Sequence, residues 1–245
     1  MNVKKWLCFF SLFLQLCTVQ VLTAYAQAIP DSGKQDSSVQ KQNSISGHML
    51  TGKIITIKYN TMPANNPLKN KNWVGIWQGS QILYDTPPLH RAYIPGTNSS
   101  GDFAFDSLAI QKKEYIIGFG SGNNTSTVSA TLYFKADDKF LEPGLAFSTK
   151  LAVLERGDNY LVVNFQTPLG NLPFKNKNWV GVWTGRLYLP DGSNLIKRQN
   201  VNSVVSTDVI AINNLNLIRG SWYTITYATG PAFTEIVAAY TFINH

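Results

Sequence analysis

The sequence predicts an all-β protein built from two tandem antiparallel sandwiches, and three observations carry that reading. A block of eleven residues recurs almost unchanged. The segments around it alternate apolar and polar residues with a period of two, as half-buried strands do. No long segment has helical periodicity.

The recurring block is KNKNWVGIWQG at 69–79 and KNKNWVGVWTG at 175–185, identical at nine of eleven positions at an offset of 106. An internal repeat of this length marks a duplicated structural unit. Upstream, Ile55, Ile57 and Tyr59 alternate with polar neighbours, and Leu161, Val163 and Phe165 fall on the same register. Downstream the offset becomes 108. Tyr115, Ile117 and Phe119 then match Tyr223, Ile225 and Tyr227, and Val128, Ala130, Leu132 and Phe134 match Ile236, Ala238, Tyr240 and Phe242. Loop insertions between paired strands absorb such a drift. Each copy offers about six or seven short strands, with turn signals such as Gly122-Asn123-Asn124 and Gly230-Pro231 between them. A unit of roughly a hundred residues with this pattern has the size of an immunoglobulin-like sandwich. The expected organisation is a signal peptide at 1–26, a flexible polar segment at 27–43, a first sandwich at 44–136, a linker at 137–147 and a second sandwich at 148–245.

The first residues read as an address. Lys4 and Lys5 precede an apolar stretch at 6–22, and Ala24-Tyr25-Ala26 is a small-x-small cleavage site. This is the pattern of a secretory signal peptide, so the expected location is secreted, periplasmic or extracellular. No later stretch is long and apolar enough to span a bilayer. Both cysteines, Cys8 and Cys17, lie in the leader. The exported chain is therefore expected to hold no disulfide, thiolate nucleophile or sulfur metal ligand, and packing alone must hold the sandwiches. Without Lys4 and Lys5, 19 of the 21 basic residues remain against 14 acidic ones. That balance is mild and unclustered, which argues against a nucleic-acid partner.

The repeated tryptophan strand has two apolar faces. Trp73, Gly75 and Trp77 share one, Val74 and Ile76 the other, and 179–183 repeat the arrangement. The simplest expectation is that one tryptophan of each pair fills the sandwich core. The sharper one makes Trp73, Trp77, Trp179 and Trp183 an outward platform for a sugar or peptide, with the glycine leaving room for close approach. Domain–domain packing is the third. Lys69, Lys71, Lys175 and Lys177 end the loop before this strand and are candidate contacts for an anionic ligand. Tyr115 and Tyr223 stand where a tyrosine corner would bond back to the chain.

The run Asn72-Trp73-Val74-Gly75-Ile76-Trp77 resembles the Asp-Trp-Ile-Gly-Ile-Phe run of SKICH domains. Gly101-Asp102-Phe103-Ala104-Phe105, Leu108, Glu114-Tyr115 and the closing strand at 128–134 follow in a similar order, and the second copy repeats it from Asn178 onward. The resemblance implies an immunoglobulin-like fold and a non-catalytic targeting or interaction role. The sequence departs from the family at Asn72 and Asn178, where Asp is usual, and in carrying an export leader.

No catalytic, cofactor-binding or metal-binding residue can be nominated. His48, His90 and His245 do not recur between copies and have no metal-ligand spacing. No serine sits in a nucleophile elbow and no glycine-rich loop opens a helix. Asp102 and Asp208 recur as turn-capping residues. Arg156-Gly157-Asp158 falls in a hairpin turn, where glycine supplies backbone freedom. The expected function is an exported, non-catalytic binding or structural protein that meets a protein partner through sandwich loops or a sheet edge. The alternative is a carbohydrate-binding module using the aromatic strand and the neighbouring lysine and asparagine loops.

Overall fold

Strand alternation sets the layers. In the computed structural model, which describes residues 38–245 apart from 51–52, 64, 112 and 137–140, sixteen strands occur among the described residues: β1 (Val39–Gln42), β2 (Ser44–Leu50), β3 (Ile55–Asn60), β4 (Trp73–Gln78), β5 (His90–Tyr93), β6 (Ser100–Phe105), β7 (Glu114–Gly120), β8 (Val128–Ala136), β9 (Leu141–Ser148), β10 (Lys150–Arg156), β11 (Tyr160–Gln166), β12 (Trp179–Thr184), β13 (Leu195–Asn200), β14 (Thr207–Asn213), β15 (Trp222–Ala228) and β16 (Ile236–Ile243). The leader assigned to 1–26 lies outside the described residues.

Each repeat is a two-layer antiparallel sandwich. In the first, the sheet β2-β3-β6 faces the sheet β5-β4-β7-β8-β9; in the second, β10-β11-β14 faces β1-β16-β15-β12-β13. The immunoglobulin-like expectation holds. The apolar set read from the sequence forms two separate cores. Ile55, Ile57 and Tyr59 meet Val74, Ile76, Ile117 and Phe119 in the first. Leu161, Val163 and Phe165 meet Val180, Val182, Ile225 and Tyr227 in the second. Each such side chain, taken fully out of water, stabilises the fold by about 1.5–3 kcal/mol. Both tyrosine corners form. The Gln111 N–H donates to the Tyr115 hydroxyl at 3.2 Å and the Ile218 N–H to that of Tyr223 at 2.8 Å.

Two stretches differ from the sequence reading. Val39–Gln42, within the segment expected to be flexible, pairs antiparallel with β16. Leu141–Ser148, which lies in the expected linker except for Ser148, pairs antiparallel with β8. The reason is edge pairing: an outermost strand satisfies its backbone on a neighbouring sheet whether or not its residues alternate apolar and polar. Each repeat's leading strand therefore lies on the closing strand of the other repeat. The chain crosses between sandwiches at two buried residues, Asn43 and Thr149. The Asn43 N–H donates to the Val237 carbonyl at 2.8 Å and the Thr149 N–H to the Ser129 carbonyl at 2.9 Å. Ser129 and Val237 are equivalent positions of the two copies, so the crossings are pseudo-symmetric.

Candidate binding groove

The tryptophans follow from strand geometry. Because β4 and β12 alternate, Val74, Ile76, Val180 and Val182 enter the two sandwich cores and the tryptophans point the other way. Yet Trp73, Trp77, Trp179 and Trp183 are exposed by only 0, 2, 0 and 0%. They neither fill the sandwich core nor form a platform. Instead they make two smaller clusters on the outer sheet faces. Trp73 and Trp77 pack with Ile82, Ile116 and Val128; Trp179 and Trp183 pack with Ala228, Ile236 and Met62 of the first repeat. Gly75 and Gly181 leave room for these rings, not for a ligand. A Cβ on Gly75 would come within 2.7 Å of the Trp73 ring, and one on Gly181 within 2.7 Å of Trp183 and 2.8 Å of Trp179.

Two arginines that sequence reasoning missed seal the clusters. Arg91 lies directly across from Gly75, and Arg198 across from Gly181. Their guanidinium carbons stand 4.1 Å over the Trp73 ring and 4.3 Å over the Trp179 ring, a cation–π contact. Arg91 also donates to the Asn123 carbonyl and Arg198 to the Pro231 carbonyl. The signal was available: an arginine recurs on the strand after each tryptophan strand.

All four nominated lysines are exposed. Lys71 and Lys177 adopt left-handed backbone angles, φ 54° and 57°, at matching loop ends. Lys175 pairs with Asp85 of the first repeat at 3.0 Å, an exposed ion pair of at most about 1 kcal/mol. Lys175 and Lys177 border a hollow of about 480 Å³ with Tyr84, Asn124, Leu172 and Asn176; Lys69 and Lys71 are not part of it. The Arg156-Gly157-Asp158 turn is internally engaged. Arg156 donates to the Ile243 carbonyl at 3.2 Å, and Asp158 stands 3.5 Å from Arg219.

A larger concavity than this hollow lies elsewhere, on the outer face of the second repeat's five-stranded sheet. It encloses about 750 Å³. Its floor is Trp222 and Thr224 of β15, Ala239 and Thr241 of β16, and Val39 and Lys41 of β1. One wall is the 186–190 loop after β12; the other is Met62-Pro63 of the first repeat. Leu187 is 59% exposed, Leu189 43% and Val39 50%, so the rim shows apolar surface to solvent. The Arg186 guanidinium stacks 3.9 Å over Trp222, and burial pushes the Tyr188 phenol above its ordinary value. Lys41 and Arg186 are the charged residues of the lining, and no carboxylate joins them.

The same place in the first repeat is a smaller groove of about 430 Å³, where Leu145 and Phe147 of β9 stand in the positions of Val39 and Lys41, and Pro168 in that of Met62. No lysine or arginine lines it. None of the eight residues nominated from sequence lines the larger groove. Its residues were hidden because they are where the copies diverge: Arg186 and Trp222 replace Ser80 and Glu114.

Among the described residues no group of three His, Cys, Asp or Glu side chains is placed to hold a metal ion, and no helix is long and apolar enough to cross a membrane. No family model matches the chain, and no curated protein matches it. Among solved structures, the chain is similar to the BSP domain of a biofilm-associated protein, at 12% identity and a TM-score of 0.24, over 77% of this chain and 27% of that one. It is also similar to a DUF3823 family protein from Parabacteroides merdae, at 10% identity and a TM-score of 0.30, over 83% of this chain and 99% of that one. A DUF3823 family protein from Bacteroides uniformis aligns at 8% identity and a TM-score of 0.27, over 76% and 94% of the two chains. The fold assignment rests on the strands and sheets of the chain itself.

Proposed function

We propose that this chain is an exported, non-catalytic binding protein of two sandwich domains, and that it takes a protein partner in the groove of the second repeat. The observation that carries this reading is the 750 Å³ apolar groove with Leu187 and Leu189 exposed at its rim. Concave, mostly apolar sites with a few placed polar groups are the usual form of a recognition site. The SKICH-like resemblance agrees with a non-catalytic interaction role. Carbohydrate binding through the repeated strand loses its means, since those tryptophans are covered. Trp222, half-buried in the groove, keeps a narrower carbohydrate reading in play.

A displayed-peptide library and a glycan array, probed with wild type and with a Leu187→Asp/Leu189→Asp variant, test the proposal. Peptides retained by wild type and lost by the variant support it. Glycans retained by wild type and lost in Trp222→Ala, with no peptide enriched, would replace it with carbohydrate binding.

A further inference from the structure

Resting on the groove reading above, we infer that the groove's occupant is an extended peptide segment whose alternate, groove-facing residues are apolar apart from at least one carboxylate, docked along the free edge of β1. Three features of the molecule converge on that chemistry.

The first is the edge. β1 is the outermost strand of its sheet and pairs only with β16 among the described residues. An added strand satisfies an open edge with main-chain hydrogen bonds and sends every second side chain to one face. Here that face is the groove, because Val39 and Lys41 of β1 already point into it.

The second is charge. Lys41 and Arg186 border an apolar surface, and no acidic side chain lines the groove with them. Neither cation forms an ion pair with a described residue. A carboxylate on the incoming strand would stand beside Lys41 in a groove whose charged lining is wholly basic, while a basic strand would be repelled.

The third is the built-in comparison. The first repeat's groove has Phe147 where the second has Lys41 and Ser80 where the second has Arg186. Its edge strand β9 follows β8 directly in the chain, whereas β1 reaches its sheet from the opposite end of the sequence. Volume, charge and a distinct edge strand change together, in the second repeat only.

The test uses the exported chain and a set of fluorescein-labelled peptides about eight residues long. Every second residue is Val or Leu, except that one of these groove-facing positions is Glu, Gln or Lys, and the intervening residues are Thr. Fluorescence polarisation should show the Glu peptides binding roughly tenfold more tightly than the Gln peptides at about 20 mM salt, with the gap closing to under about threefold at 0.5 M as screening predicts. A Lys41→Glu/Arg186→Glu variant should reverse the order and favour the Lys peptides. N-methylation of the amides that face β1 should abolish binding, and methylation of the alternate amides should spare it.

Equal affinity for Glu and Gln peptides, or indifference to both methylation patterns, overturns the inference. If that binding is nevertheless lost in Leu187→Asp/Leu189→Asp, the groove reading survives. Should no peptide bind, dodecanoate titrated with the same variants separates the cases. Dodecanoate binding would make the occupant an anionic amphiphile, and failure of both probes would end the groove reading as well. Concentration-dependent dimerisation abolished by Lys41→Glu/Arg186→Glu would make the occupant a second copy and overturn the inference too.

Discussion

The two repeats use one scaffold and part company at the turn before the closing strand and at the strand beside it. In the first repeat Trp73 Nε1 donates to the Gly122 carbonyl at 2.6 Å; in the second, Trp179 Nε1 is buried with no partner. In the first, the edge strand β9 follows β8; in the second, the amino-terminal β1 supplies the edge. The repeat whose tryptophan lacks a partner also carries the larger groove. Duplication supplies two stable copies of a core, and divergence at the periphery of one makes a site.

The largest effect that can break this comparison lies in the shared tryptophans. Trp73→Ala and Trp179→Ala should each cost about 3–5 kcal/mol in urea denaturation, as emptying a buried aromatic site does. The phenylalanine variants are more discriminating. Trp73→Phe discards a hydrogen bond, whereas Trp179→Phe discards an unpartnered N–H. The second should therefore be milder by about 1 kcal/mol. Equal costs would mean the difference in hydrogen bonding carries no energetic weight.

The crossing residues come next. Asn43 accepts from the Met62 N–H at 3.0 Å and donates to the Ser129 hydroxyl at 3.1 Å, tying the crossing to the first repeat. Thr149, its counterpart, donates from its hydroxyl to the Ser129 carbonyl at 2.7 Å. Asn43→Ala strands a buried N–H and should cost about 2 kcal/mol, against about 1 kcal/mol for Thr149→Ala. A reversed order in equilibrium unfolding would show that the second crossing, not the first, fastens the repeats.

These residues also show what the sequence could and could not reveal. The sandwich cores were legible because Ile55, Ile57 and Tyr59, and their counterparts, alternate strictly. The tyrosine corners were legible because Tyr115 and Tyr223 recur at matched positions. The burial of both faces of the tryptophan strand was not, because periodicity marks a face as apolar without saying what covers it. The cover comes from Arg91 and Arg198, from Ile82 and Phe233, and from Met62 of the other repeat. β1 and β9 escaped notice because an edge strand held by its backbone needs no apolar pattern. The groove escaped because repeat matching rewards sameness, and Arg186 and Trp222 are differences.

The smallest expected effect sits on the difference at the turns. Thr127 of the first repeat closes its own turn, accepting from the Gly122 N–H at 3.1 Å and donating to the Asn124 carbonyl. The second repeat places Glu235 there. Its carboxylate accepts from the Ala232 N–H at 2.8 Å and rests against Gly122 of the first repeat, where a Cβ would come within 2.5 Å of Oε1. Burial raises its pKa above the ordinary 4.5, and the Ala232 N–H offsets part of that rise. A raised value means that the folded chain holds the proton more tightly than the unfolded chain. The resulting stabilisation is complete below the unfolded value and is lost as pH climbs through the folded one. Glu235→Gln keeps an acceptor for Ala232 and removes the titration. Its melting temperature should match wild type near pH 4 and exceed it by about 1–2 °C at pH 7. A gap that stays constant across that range would assign the effect to packing against Gly122 and not to charge. The ionised Glu235 would then be no burden on the contact between the repeats.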